Sequence, residues 1–355
     1  MPKIKYMKRA LSLAKGGWGE TSPNPMVGAV IVRDGKIIGE GYHSRCGMPH
    51  AEVEAIRNTK ENLSGAEMYV TLEPCNFYGR TPPCTDAIIK SGIRKVYIAT
   101  LDPNPRVSGG GVKKLRDAGI DVEVGMLENE AKRLNEIYFK NIQEKLPFVI
   151  GKAAITLDGF IADTSGNSRW ITSESSRKAS HMLRALVDGI LVGAETVRCD
   201  NPRLTTYLVE GKTAIRFVLA RHPLEYERYH IFTDGLPTYI ITDNPDYPEE
   251  GLPDNISLVI LSNLSKDILP ELWKMNIRSL LVEGGGEVHS FFIENSLYDK
   301  MLIFVAPKVI GNGKGMFGNI TRRLQNAMEF CIESVDKSGN DAVLTVYKKG
   351  KCSQG

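Results

Sequence analysis

Apolar and polar positions follow two different spacings along the chain, and the changes between them mark its elements. Up to about Lys15 the apolar residues recur at helical spacing; after "TSPNP", the run Met26 to Val32 reads as a strand. "RDGK" is a hairpin turn, since Asp-Gly supplies the positive φ values such turns need, and the returning strand covers roughly Ile37 to His43. Helix and strand patterns then alternate. They give a helix from Pro49, the strand "AEMYVTL", a helix from Pro83, the strand "KVYIAT", a helix from about Gly111 to Ala118, the strand "IDVEV" and a helix from Leu127. A hairpin followed by βα units predicts a mixed sheet covered by helices.

"QEKLPF" breaks the pattern with charge and Pro147, and a new apolar run, "PFVIGKAAITLDGFIA", restarts it. "TSESS" caps a helix reaching about Val187, and the buried strand "GILVG" follows. Further strands are predicted at "AIRFVLA", "TYIIT", "SLVIL", "SLLVEGG" and "KMLIFVA". The Pro-, Asp- and Asn-rich stretch from about Asp243 to Asn255 reads as a surface loop. No internal repeat links the halves, so two different domains are expected, 1–145 and 146–355.

Composition narrows the class. A chain of 355 residues, 42% hydrophobic and 25% charged, is long enough for two full cores. Its 45 Lys and Arg against 42 Asp and Glu give no basic footprint for nucleic acid. Every apolar run is interrupted before it could span a membrane, and the basic N-terminus reads as an amphipathic helix rather than a signal peptide. Six unevenly spread cysteines are no disulfide framework, which points to a reduced cytoplasm. A cytoplasmic homo-oligomer acting on a small molecule, with neither nucleic acid nor membrane as partner, is the expectation.

The candidate chemistry begins at "PHAEVEAI". His50 and Glu52 fall in the first turn of a helix that Pro49 opens, and Pro83 likewise places Cys84 at a helix N-terminus, where a thiolate gains from the dipole. Cys75 follows a strand in "TLEPC". One imidazole and two thiolates make a soft tetrahedral set suited to zinc, with the fourth position left for water, whose pKa zinc lowers. Glu52 need not bind metal and is the candidate to move a proton from water to a leaving amine. A His-x-Glu, then Pro-Cys, then a further cysteine is the order seen in zinc deaminases. Each piece alone is more often a solvated helix start or a packed thiol; together and in order they point to a zinc deaminase. Eight residues separate Cys75 from Cys84, against two in the nucleoside and transfer-RNA deaminases.

"NPMVGAVIV", "GYHSRCGMPHAEVEA", "TLEPCNFYGRTPPCTDAII" and "DPNPRVSGGGV" resemble the deaminase half of the bifunctional riboflavin-biosynthesis deaminase-reductases. The resemblance implies a cytidine-deaminase-like three-layer α/β/α domain acting on a diaminopyrimidinone that carries ribosyl phosphate. It also implies substrate contacts at Asn24, His43 and Asn104, with Arg80 near the phosphate. An amide suits a pyrimidine edge and a guanidinium suits phosphate.

In the second half, the strand "LLVE" runs into Gly284, Gly285 and Gly286 and then a helix, a turn that lets backbone approach a phosphate-bearing ligand. It is not the dinucleotide fingerprint of a Rossmann fold. With "AAITLDGFIA", "GNSRWIT", "GAETVRCDNPRLT" and "FVAPKVIGNG", it resembles the reductase half of the same enzymes, which implies a dihydrofolate-reductase-like α/β fold and NADPH. The resemblance sets NADPH against Ala154, Trp170, Thr196, Asp200 and the turn Gly285, Gly286, Glu287, Val288, His289, Ser290 and Phe291. It sets the substrate against Ser168, Arg184, Leu204 and Glu283, with Lys152 a polar group near the reacting carbon. Two positions depart from the family. Thr206-Tyr207 stands where an arginine is expected, so phosphate falls on Arg184 or Arg203. "VLARHP" carries Arg221 where an acidic residue is common, and Arg221 is the candidate for the 2′-phosphate of NADPH. The paired reading is deamination of the ring followed by hydride transfer to C1′ of the sugar. A deaminase whose second domain only binds nucleotide, and a nucleic-acid-editing protein on a deaminase fold, are the alternatives.

Overall fold

A computed structural model describes residues 2–79, 82–318 and 320–349. The chain divides into two compact units, Met1–Lys145 and Leu146–Gly355.

In the first unit, α1 (Pro2–Ala14) precedes the hairpin of β1 (Gly28–Arg33) and β2 (Lys36–Tyr42). There follow α2 (Ala51–Asn58), β3 (Glu67–Val70), α3 (Cys84–Ser91), β4 (Lys95–Ile98), α4 (Gly110–Asp117), β5 (Asp121–Val124), α5 (Glu128–Leu134) and α6 (Glu136–Glu144). The sheet runs β2-β1-β3-β4-β5, with β1 antiparallel to both neighbours and β3, β4 and β5 parallel. Asp34 and Gly35 take φ values of 51° and 78° in the hairpin turn. The central strands are buried on both faces, and their two-residue period divides the core. Ala29, Ile31, Met68, Val70, Val96 and Ile98 pack with residues of α2, α3 and α4. Val30, Tyr69 and Tyr97 point the other way, with Tyr6 and Met7 of α1 and Ala131 of α5. The result is a three-layer α/β/α unit.

The single helix expected from Leu127 is two. It breaks at Asn135, whose side chain accepts from Met26 N and donates to Met26 O, both at 2.8 Å. A buried amide that satisfies a distant backbone in both directions outweighs one more turn of helix.

The second unit opens with β6 (Phe148–Thr156), β7 (Phe160–Ala162), α7 (Glu174–Leu186), β8 (Gly189–Gly193), α8 (Ala194–Asp200), β9 (Ile215–Leu219) and α9 (His230–Thr233). It continues with β10 (Thr238–Thr242), β11 (Ile256–Ile260), α10 (Leu264–Lys274), β12 (Ser279–Gly284), α11 (Gly286–Glu294), β13 (Lys300–Ala306), β14 (Lys314–Gly315), β15 (Phe330–Ser338) and β16 (Asp341–Lys348). The large sheet runs β11-β10-β9-β8-β12-β6-β13-β16-β15. It is parallel from β11 to β13, and the last two strands are antiparallel. β15 and β16 lie outside the strands predicted from sequence. β15, "FCIESVDKS", is a half-exposed edge strand whose polar residues hide the pattern. Asp341 accepts from Ser173 N and Oγ at 2.7 and 2.6 Å and from Ser176 Oγ at 2.6 Å, which pins the capped start of α7 to the β15–β16 turn. Among the described residues, no helix is long and apolar enough to cross a membrane.

Candidate active sites

His50 is the residue immediately before α2, in extended backbone, and Cys84 is the first residue of α3. Their side chains meet at the carboxyl end of β3. His50 Nδ1 lies 3.1 Å from Cys84 Sγ and 3.6 Å from Cys75 Sγ, and the three donor atoms lie within 4.8 Å of one another. Cys75 is fixed through its backbone, since Thr85 N and Oγ1 both donate to Cys75 O, at 3.1 and 3.2 Å. Hydrogen bonds from Cys84 hold the Cys75 thiol down, to about 4, despite burial. The same partnership and burial push Cys84 well up. One thiolate and one thiol against an imidazole is a donor set that a dication completes, because it stabilises both sulfurs as thiolates. The set fits zinc, with three ligands and one position left over.

Glu52 is the second residue of α2, in its first turn, and is 3% exposed. Burial raises its carboxyl to about 7, with His50 opposing. His43, 2% exposed, stands edge-on to His50, with ring centres 5.3 Å apart. His43 Nδ1 faces Pro49 O and Nε2 faces Asn24 Nδ2, each at 3.1 Å, which makes Nδ1 the protonated nitrogen and Nε2 the acceptor. Burial lowers the His43 pKa. Asn24, His43, His50, Glu52, Cys75 and Cys84 are thus one cluster. Asn104 belongs to the loop after β4, where its Oδ1 accepts from Arg106 N at 3.1 Å and its N–H donates to Asp102 Oδ1 at 2.8 Å. Arg80 lies outside the described residues.

In the second unit, a cleft of about 1860 Å³ opens at the carboxyl ends of the parallel strands, where α/β sheets place their ligands. Lys152, Ala154, Ser168, Trp170, Arg184, Thr196, Asp200, Arg203, Leu204 and Arg221 line it, as do Glu283, Gly285, Gly286, Glu287, Val288, His289 and Phe291. Arg184 and Glu283 form a two-pronged ion pair, Nε–Oε1 2.7 Å and Nη2–Oε2 2.9 Å, and Lys152 Nζ stands 3.9 Å from Glu283 Oε2. Burial pushes Glu283 up, but Arg184 and Lys152 overcome it and hold the carboxyl at about 2. Burial lowers Lys152. Ser168 Oγ donates to Asp200 Oδ1 at 2.8 Å. Thr196 Oγ1 donates to Gly284 O at 3.0 Å, below the glycine turn. Gly285 has φ 87°, and a Cβ there would lie 2.9 Å from Thr196 Oγ1.

Three sequence candidates sit differently from the rest. Ser290 is not in the cleft lining; its hydroxyl ties Gly286 O to Gly318 N, each at 2.8 Å, beneath the turn. The His289 ring is turned inward, with Nδ1 2.7 Å from Tyr298 Oη, and burial lowers it to about 4. Arg221 is 75% exposed on its side chain, 3.8 Å from Asp243. Sequence reasoning missed His181, a buried cleft residue whose Nδ1 has no hydrogen-bond partner and whose ring packs against Tyr207 at 4.5 Å. It also missed Asn76, beside Cys75, whose buried Oδ1 is unpartnered. One turn of helix separates His181 from Arg184, and that spacing was the available signal.

Comparison with known proteins identifies the two units. The model of the cytidine and deoxycytidylate deaminase zinc-binding region matches residues 2–100, and the model of the RibD C-terminal domain matches residues 147–344. A zinc-binding deaminase domain followed by a reductase domain makes the chain a bifunctional deaminase-reductase. The riboflavin biosynthesis protein RibD of Aquifex aeolicus is 44% identical over 345 residues, 96% of each chain, and that of Actinobacillus pleuropneumoniae is 40% identical, over 97% of this chain and 95% of the relative. The solved deaminase/reductase of Thermotoga maritima, acting by name on diaminohydroxyphosphoribosylaminopyrimidine and 5-amino-6-(5-phosphoribosylamino)uracil, is 40% identical. It superposes with a TM-score of 0.89 over 98% of this chain and 99% of its own. Acinetobacter baumannii RibD is 34% identical, with a TM-score of 0.86 over 98% and 99%. The chain belongs to the RibD family, the deaminase-reductases of riboflavin biosynthesis.

Proposed function

We propose that residues 1–145 replace the 2-amino group of a diaminopyrimidinone ribosyl phosphate by oxygen, and that residues 146–355 then reduce the ribosyl group to ribityl with NADPH. The product would be a ribitylaminouracil phosphate. The single observation that carries this reading is the convergence of His50, Cys75 and Cys84 beside the buried Glu52.

His50, Cys75 and Cys84 would hold zinc, which supplies, when bound, a Lewis acid that makes water a nucleophile at neutral pH. Glu52 takes the proton from the attacking water and returns it to the departing amine. A carboxyl whose burial brings it close to neutrality suits both transfers. Asn24 has one amide N–H engaged by His43, and the rest of its amide is free for the pyrimidine edge. Asn104 has its carbonyl engaged by Arg106 N and its side chain hydrogen-bonded to Tyr138, so its NH₂ is the group it can offer a substrate.

In the reductase cleft, NADPH supplies hydride and the protein supplies orientation. The turn from Gly285 admits the cofactor's phosphates at the start of α11. Hydride reaching C1′ opens the sugar, and a proton must reach the oxygen that leaves it. Lys152, held against Glu283, is the donor we assign. Arg184 has its fork committed to Glu283 and another N–H to Thr205 O, so the exposed Arg203 is the better partner for the substrate phosphate. A coupled assay that follows ammonia release and NADPH oxidation on the diaminopyrimidinone nucleotide tests the whole reading. Ammonia release without NADPH oxidation would reduce the second domain to a binding module.

A further inference from the structure

Glu73 stands two residues before Cys75 and is 3% exposed. Among the described residues, no lysine or arginine pairs with it. Its carboxylate instead accepts three backbone N–H groups from a distant segment. Oε1 accepts from Val112 at 3.0 Å; Oε2 accepts from Gly109 at 3.0 Å and from Asp102 at 3.3 Å. These donors are the loop after β4 and the first turn of α4. Gly109 precedes α4 with φ 76° and offers no side chain to its open N–H groups. Glu73 therefore caps α4 from outside, with a negative charge at the positive end of the helix.

The packing leaves the loop little freedom. A Cβ on Gly111 would lie 2.1 Å from Pro74 O, and one on Gly110 would lie 2.3 Å from Asn76 Nδ2. Asp102, whose N–H is held by Glu73, accepts in turn from Asn104 N at 2.8 Å and from Tyr138 Oη at 2.9 Å. A short, buried line of contacts thus runs from the segment bearing Cys75 to the backbone of Asn104. Hydrogen bonds to an ionised carboxylate are roughly twice as strong as neutral ones, and three on one side chain fix both its ends.

We propose that Glu73 is a positioning residue for deamination: it sets the Asp102–Val112 loop, and with it Asn104, in register with the zinc-binding segment. The proposal rests on the reading of Asn104 as a substrate contact. Glu73 touches neither metal ligand side chains nor substrate in this role; it acts through the loop.

The test uses full-length, zinc-loaded protein carrying Glu73→Gln, Asn104→Ala or both. Glutamine keeps the shape but turns an NH₂ toward backbone donors. Amide exchange at Gly109 or Val112 should quicken. KM for the diaminopyrimidinone nucleotide should rise roughly tenfold or more, while kcat falls much less and zinc content holds. The double variant should show no higher KM than Asn104→Ala alone, as expected for two residues acting in one chain of contacts. Gly111→Ala, whose Cβ would press on Pro74 O at 2.1 Å and on Glu73 Cγ and Oε1 at 3.1 Å while keeping the carboxylate's charge, should repeat the KM effect if Glu73→Gln folds poorly. Unchanged exchange at both amides, or a loss confined to kcat or zinc content, would overturn the proposal. So would fully additive KM effects. A wild-type KM in Asn104→Ala alone would instead remove Asn104 from the substrate site, with the exchange data still reporting whether Glu73 holds the loop.

Discussion

Arg184 and Glu283 meet fork to fork in the reductase cleft, one from the last turn of α7 and the other from the end of β12, with both side chains largely buried. Lys152 from β6 shares the same carboxylate. Three charged groups with a net charge of +1 therefore stand together beside the glycine turn, where a phosphorylated sugar and a nicotinamide would meet. An unpaired charge there would be costly, so the carboxylate is as structural as it is functional.

That pairing has a pH signature. The carboxyl of Glu283 is held at about 2, below its ordinary 4.5, so the stabilisation it gives is complete above pH 4.5 and is lost as pH falls toward 2. The shift corresponds to something on the order of 3 kcal/mol. Glu283→Gln, which leaves Arg184 and Lys152 without their counter-charge, should lower urea-unfolding stability of the reductase transition by about 3–5 kcal/mol at pH 7. The gap to wild type should stay level from pH 8 to 5 and narrow below 4.5. A gap that does not change with pH would mean that the carboxylate is not ionised in the folded protein.

Metal content tests the first unit directly. Purified protein should carry one zinc per chain, and either Cys75→Ser or Cys84→Ser should lose it, because each removes one of three donors set within 4.8 Å. Chelation should abolish ammonia release and leave the reduction of already deaminated nucleotide intact. Full zinc retention in both serine variants would refute the ligand set.

How much of this was legible beforehand follows the chemistry of each signal. His50, Glu52, Cys75 and Cys84 were readable because zinc needs particular side chains and the prolines beside them mark the helix starts. The glycine turn was readable as a turn for a similar reason, since the positive φ of Gly284 and Gly285 excludes most side chains. Glu73 was hidden although it adjoins the motif, because its partners are backbone N–H groups, which every residue but proline carries. Arg216 was hidden too. It sat inside the predicted strand "AIRFVLA" as a lone charge, yet it is fully buried, donating to both oxygens of Asp234 and to Arg203 O and Leu236 O. The engagement of Arg184 by Glu283, ninety-nine positions away, was equally invisible, because such a pairing depends on the fold rather than on any local pattern.

Arg221 provides a test of cofactor preference. It follows β9 at the cleft rim, with its guanidinium exposed and only loosely paired to Asp243 at 3.8 Å, so it is free to turn toward a ligand phosphate. A charge-assisted hydrogen bond to the 2′-phosphate is worth on the order of 1.5–3 kcal/mol. Arg221→Ala should therefore shrink the ratio of kcat/KM for NADPH over NADH by roughly ten- to a hundredfold, mostly by raising KM for NADPH. An unchanged ratio would show that another group reads that phosphate.

The two chemistries should be separable. Glu52 lies in the unit that ends at Lys145, and the glycine turn lies in the unit that begins at Leu146. Glu52→Gln keeps the shape of the side chain but cannot carry a proton, so deamination should fall by roughly 10²–10⁴ or more. The same variant, given deaminated nucleotide, should oxidise NADPH at a near-normal rate. Gly285→Val is the converse. Its backbone has φ 87°, where a β-branched residue is strained, and its Cβ would press on Thr196 Oγ1 at 2.9 Å. Reduction should stop there while ammonia release continues. If either substitution silenced both reactions in protein that still folds and holds its zinc, the two activities would have to share a single site, and the assignment of one reaction to each domain would fall.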